Sequence, residues 1–210
     1  MTAVTAASAE ARTTAHLHGL IDRRFQRSVE IPARFFAAHA DLVSRACLEM
    51  ARRFQRGGRL LVFGEGAEAT DAQHVAVEFV HPVIVGKRAL PAIALTSDAA
   101  LLTGLARGGE GSGSFTRVLE ILGREQDIAM GISRDAGGPS ILSTLTAAQA
   151  LGMLTIGLTG QCGVARRENP VDFAFAVPSD DPLVVQEVHE TLYHVLWELV
   201  HIFFEHRVAT

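Results

Sequence analysis

The chain is poor in cysteine. Only Cys47 and Cys162 occur in 210 residues, which excludes a disulfide framework and the paired spacing of a zinc ribbon. It also lacks a basic excess. Nineteen Lys and Arg against 23 Asp and Glu leave a formal net charge of −4, so no electrostatic case exists for nucleic acid or a membrane surface as partner. No apolar run is long enough to span a bilayer, and no charged-then-apolar N-terminal stretch has the form of a signal peptide. A cytoplasmic protein is the expectation. Charged residues make up 20% and hydrophobic residues 48%, a folded composition rather than a disordered one. The length suits one domain with a full core.

The most informative stretch is residues 59–81, RLLVFGEGAEATDAQHVAVEFVH. Leu60 to Phe63 form a short apolar run that predicts a buried strand. Gly64 and Gly66 then permit a tight turn and close backbone approach. From about Ala69 the pattern turns helical, with Ala72, Val75, Ala76, Phe79 and Val80 recurring three and four residues apart. A strand passing through glycines into a helix N-terminus is a common anion or ligand site. His74 and Glu78 are four residues apart, so both face one side of that helix. They read either as a surface pair or as two groups sharing a metal or substrate. A dinucleotide fingerprint does not fit, because Ala69 stands at the third glycine position of G-x-G-x-x-G.

Residues 1–12 are small and polar and predict a loose tail. Residues 13–58 predict a helical arm in two pieces. Leu17, Ile21 and Phe25 mark the first, which Pro32 ends or kinks; Phe36, Val43, Cys47, Met50 and Phe54 mark the second, stopped by Gly57 and Gly58. This pair reads equally as a cover for the core or as an oligomer-forming arm. Residues 59–210 form the main domain. Four further strands are predicted at Pro91–Leu95, Asp127–Ile132, Leu154–Leu158 and Asp172–Val177, with helices at about 114–123 and 140–151. Strands alternating with helices predict an α/β fold with a parallel sheet covered on both faces. GLARGGEGSGSF, residues 104–115, reads as a mobile loop. A long helix over about 182–206 is apolar around much of its circumference, which predicts burial against more than one neighbour. Gln186, His189, Glu190, His194, Glu198 and His201 interrupt that surface. Of these, His189, Glu190, Glu198 and His201 are expected at interfaces or in solvent.

Several stretches in order resemble the sugar isomerase (SIS) domain family, in its phosphoheptose (sedoheptulose 7-phosphate) isomerase branch. GEGAEATDAQHVAVEF from Gly64 is similar to the family's Gly-Asn-Gly-Gly-Ser followed by Asp-Ala-Gln-His-Phe-Ala-Ala-Glu-Leu. Pro91 to Ala94 repeat its Pro-Ala-Ile-Ala. Gly123 to Asp127 and GISRDAGG from Gly131 resemble its Gly-Arg-Glu-Gly-Asp and Gly-Ile-Ser-Thr-Ser-Gly-Asn-Ser. Gln186, Glu187, His189 and His194 match its C-terminal pattern. The resemblance runs from about Ile21 to Glu205. It implies a three-layer α/β domain with a five-stranded parallel sheet and a homotetramer. It also implies a divalent metal, by expectation Zn2+, on His74, Glu78, Gln186 and His194. The implied reaction interconverts a ketose and an aldose phosphate through an enediol, with Glu78 as general base and His194 as general acid. Such proton transfer beside a carbonyl needs a placed carboxylate, a proton source and charge stabilisation.

The phosphate cradle departs from the family pattern. Glu65 and Glu68 replace its asparagine and serine. Arg134 and Asp135 follow the retained Ser133 where it has Thr and Ser, Gly138 replaces its last Ser, and Arg107 and Gly108 replace its Asn-Asp pair. The expected substrate-binding set is Gly64, Glu65, Gly66, Glu68, Ser133, Arg134, Asp135 and Gln186. Carboxylates offer only acceptors and repel phosphate, so weak or absent activity on sedoheptulose 7-phosphate is expected, with a tilt toward neutral or cationic ligands. Glu65 and Glu68 are also ordinary helix-start acids, and Arg134 either pairs with these acids or replaces lost phosphate donors. A sugar or sugar phosphate is the expected partner of an enzyme. The alternative is a non-catalytic SIS tetramer acting as adaptor or ligand sensor.

Overall fold

A computed structural model describes residues 2–107, 114–134, 138–161 and 171–205. The elements follow in the order α1 (Thr2–Gln55), β1 (Leu60–Gly64), α2 (Glu68–Val80), β2 (Ala92–Ala94), α3 (Ala99–Arg107), α4 (Ser114–Leu122), β3 (Ile128–Ile132), α5 (Pro139–Ala150), β4 (Leu154–Thr159), β5 (Phe173–Ala176) and α6 (Pro182–Glu205). The five strands form one parallel sheet in the order β2-β1-β3-β4-β5.

Alternation along the strands assigns the two faces. Leu60, Val62, Ile128, Met130, Ile156 and Phe175 join one core with Cys47 and Met50 of α1, Val75 and Phe79 of α2 and Val188, Leu192 and Leu196 of α6. Leu61, Phe63 and Ala129 join a second core with Phe115 and Leu119 of α4 and Ile141 and Leu145 of α5. β1, β3 and β4 are buried at every position, as expected of parallel strands covered on both faces. The three-layer α/β architecture and all five expected strands are thus present, with ends that differ by one residue or so.

Three expectations are corrected. The arm is one helix, not two: α1 runs unbroken through Pro32 for 54 residues, about 80 Å at 1.5 Å per residue, and includes residues 2–12. Proline inside a helix removes one backbone hydrogen bond and costs about 3 kcal/mol. That local penalty is outweighed by Phe35, Val43, Cys47 and Met50, which sit in the core that α1 shares with α6. The glycine-rich 104–115 stretch is helical at both ends, as the last turn of α3 and the start of α4; residues 108–113 lie outside the described residues. The helix α3 itself has no counterpart in the sequence reading. Among the described residues no helix is long and apolar enough to cross a membrane.

Candidate active site

β1 lies between β2 and β3, so the chain leaves β1 in one direction and later returns on its other side. Ligands of open parallel sheets bind at such a switch, beyond the carboxyl ends of the strands. The register Gly64↔Ile132 puts the loops after β1 and β3 side by side. Gly64 is required there: a Cβ would meet Glu68 O at 2.6 Å. Gly66 adopts φ +62°, the left-handed region that glycine enters freely. This turn delivers Glu68 to the start of α2 facing the β3 loop, where Arg134 donates through Nε to its carboxylate. Of the two fates open to Arg134, pairing with an acid is the one observed. Ser133 is buried and its N–H continues the sheet ladder to Leu158 O at 2.9 Å. Glu65 is exposed and, with Gly64, Gly66, Thr96 and Phe115, lines a recess of about 230 Å³. Asp135 lies outside the described residues. A larger recess, about 490 Å³, opens at the β2 edge against Val118 and Leu122 and contains none of the expected site residues.

The second cluster lies between α2 and α6. One ligand atom each of His74, Glu78 and His194 falls within 4.8 Å of the others. His74 Nε2 is 3.3 Å from Glu78 Oε1. Two ligands of one tetrahedral zinc, at bond lengths near 2.1 Å, are about 3.4 Å apart, so this pair has the separation that such an ion needs. Imidazole and carboxylate also suit its chemistry. His74 Nδ1 is 2.9 Å from the Tyr193 hydroxyl. Gln186 is engaged differently: its Nε2 donates to Asp71 Oδ1 at 3.0 Å and Oδ2 at 3.3 Å, which leaves the amide oxygen as its acceptor.

Charge around the two clusters is uneven. Burial raises the Asp71 carboxyl above its ordinary range; the Gln186 hydrogen bond opposes this, Glu68 and Glu190 add to it, and Arg134 opposes it. Burial, with Glu190, Asp71 and Glu78 nearby, also raises the Tyr193 phenol. His189 is fully buried with Nε2 3.3 Å from Thr159 O and Nδ1 unpartnered. Burial pushes it down to about 4; the Thr159 contact opposes this and Arg134 adds to it. His201 is likewise buried, with ring nitrogens 2.8 Å from Trp197 O and 2.9 Å from Arg88 O. Both had been expected at interfaces or in solvent; within this chain both are instead buried and held by backbone carbonyls. Asp71 and Tyr193 were missed as site residues. Asp71 is three residues before His74 and Tyr193 adjoins His194, so helical spacing offered a signal for the first but none for the second.

The chain belongs to the SIS domain family, whose sequence model matches residues 25–160. Phosphoheptose isomerases are among the proteins it is similar to. That of Desulfovibrio desulfuricans is 39% identical over 175 residues, which cover 83% of each chain. The solved phosphoheptose isomerase GmhA of Neisseria gonorrhoeae superposes with a TM-score of 0.80 at 26% identity, covering 88% of this chain and 98% of that one. The Francisella tularensis enzyme gives 0.78 at 30% identity, covering 87% and 96%.

Proposed function

We propose that this protein is a metal-dependent aldose–ketose isomerase acting on a sugar phosphate of the sedoheptulose 7-phosphate kind. The observation that carries the reading is the His74–Glu78–His194 cluster with a ligand-like 3.3 Å separation, in a chain similar to phosphoheptose isomerases along most of its length. In this reading His74, Glu78, His194 and the Gln186 amide oxygen hold a divalent ion, most simply Zn2+. When bound, the ion polarises the substrate carbonyl and its neighbouring hydroxyl. Glu78, only 14% exposed, takes the proton from the carbon beside the carbonyl and returns it to the adjacent carbon. His194 supplies and recovers the proton on oxygen. Asp71 orients the Gln186 amide through the two hydrogen bonds it accepts.

Arg134 is a cation at the switch point, and Glu68 already holds it. A substrate phosphate therefore competes with Glu68, which lowers affinity without removing the site. The same pairing supports a second reading, a ligand sensor without turnover. A cytoplasmic homotetramer belongs to the proposal. It is supported by a stripe of exposed apolar residues on α1, including Leu17, Ile21 and Phe25, and by exposed Val83, Ile84 and Val85 after α2, surfaces that water disfavours.

The test is conversion of sedoheptulose 7-phosphate, and of the unphosphorylated ketose, by zinc-loaded and chelator-treated protein. Turnover of the phosphate ester that disappears with chelator and returns with metal is expected. Metal-loaded protein that binds the ester without turning it over would support the sensor instead.

A further inference from the structure

Tyr193 belongs to none of the ligand or proton-transfer roles above. Its side chain is 1% exposed, and its hydroxyl lies 2.9 Å from Nδ1 of His74. Its ring meets both histidines edge to face: the centroids are 5.3 Å from His74 at 76° and 5.0 Å from His194 at 78°, while the two imidazoles are 5.4 Å apart at 74°. It stands beside His194 on α6 and reaches across to α2. One residue thus packs against both imidazoles and hydrogen-bonds one of them.

We propose that Tyr193 is a positioning residue that holds His74 with Nε2 turned toward Glu78 and His194, and so sets the affinity of the cluster for a divalent cation. The inference rests on the reading of His74 as a ligand. A phenol both donates and accepts. With no cation bound, Tyr193 donates to Nδ1 and the ring hydrogen sits on Nε2, 3.3 Å from Glu78 Oε1. With a cation on Nε2, the ring hydrogen is on Nδ1 and the same phenol accepts it. A carbonyl could serve only the second arrangement and a methyl neither, so the hydroxyl supports the ring in both forms. Ligating histidines are generally fixed through their other nitrogen in this way, and loss of that partner weakens metal binding about 10- to 100-fold.

The experiment compares wild type with Tyr193→Phe, which keeps the ring and removes the hydroxyl. Zinc affinity is measured by competition with a chromophoric chelator, and the Co2+-substituted proteins are compared by visible spectrum. The expected result is a 10- to 100-fold weaker zinc affinity and an altered cobalt spectrum, with the melting temperature of the metal-free protein little changed. Equal affinities within about twofold would overturn the proposal. If the variant does not fold, nitrogen-15 shifts of His74 in zinc-loaded wild type decide: Nδ1 protonated and Nε2 metal-bound is expected, and the reverse overturns it. Wild type that binds no metal at all overturns both this inference and the isomerase reading. Wild type that binds metal as tightly as Tyr193→Phe overturns this inference alone.

Discussion

Acid should weaken this fold through the buried imidazole of His189. The imidazole is fully buried, faces Thr159 O with Nε2 and leaves Nδ1 unpartnered. Protonation would create a buried cation with an unsatisfied N–H in the field of Arg134. Burial accordingly pushes it from 6.5 down to about 4. Below pH 6.5 the unfolded chain binds this proton and the folded chain does not. Stability is therefore complete above pH 6.5 and falls as the pH drops toward 4. At 1.36 kcal/mol per unit, the loss is about 2 kcal/mol at pH 5 and about 3 kcal/mol over the whole window. Urea midpoints of chelator-treated wild type and His189→Gln at pH 7.5, 6, 5 and 4.5 isolate the effect. Glutamine keeps a donor for Thr159 O but does not titrate. For an m-value near 2 kcal/mol/M, the wild-type midpoint should fall about 1 M further than that of the variant by pH 5. Parallel pH curves for the two proteins would refute the reasoning.

Two further substitutions probe the frame and the cradle. Asp127 is fully buried and accepts from Arg59 N at 2.8 Å, Arg59 Nη2 at 2.6 Å and Arg124 N at 3.1 Å; Asp127→Asn should cost about 3 kcal/mol and lower the melting temperature by about 10 °C, whereas an unchanged melting curve would mean that the ion pair contributes nothing net. Glu68→Ser frees Arg134 and replaces a carboxylate by a hydroxyl at the start of α2, so it should lower KM for a phosphorylated sugar several-fold with kcat little changed; an unchanged or raised KM would show that Glu68 does not compete with phosphate.

The sheet was legible because its signal is local. Leu60–Phe63, Ile128–Ile132 and Leu154–Leu158 are apolar runs, and each became a strand buried on both faces. Pro32 misled because its cost is local while its compensation is not: it comes from the contact of α1 with α6, remote in sequence. Helix α3 escaped because nine residues carrying Gly104 make a weak helical signal. In the candidate site, helical spacing on α2 suggested only that His74 and Glu78 share a face, and the family resemblance added Gln186 and His194; folding brings His74, Glu78 and His194 together. The Glu68–Arg134 pair was one of two alternatives, decided by the Gly64↔Ile132 register. Tyr193 was illegible for the same kind of reason: its hydrogen bond depends on how α2 and α6 face each other, which no window of sequence contains.

The central claim is that Glu78 moves a proton between adjacent carbons of a sugar phosphate. It is tested most directly by incubating sedoheptulose 7-phosphate in deuterium oxide with zinc-loaded protein and following the carbons on either side of the transfer by nuclear magnetic resonance. Deuterium entering the product at the carbon next to its aldehyde, in wild type and not in Glu78→Gln, is the predicted result. Metal-loaded wild type that leaves both carbons unlabelled and the sugar unconverted would contradict the account.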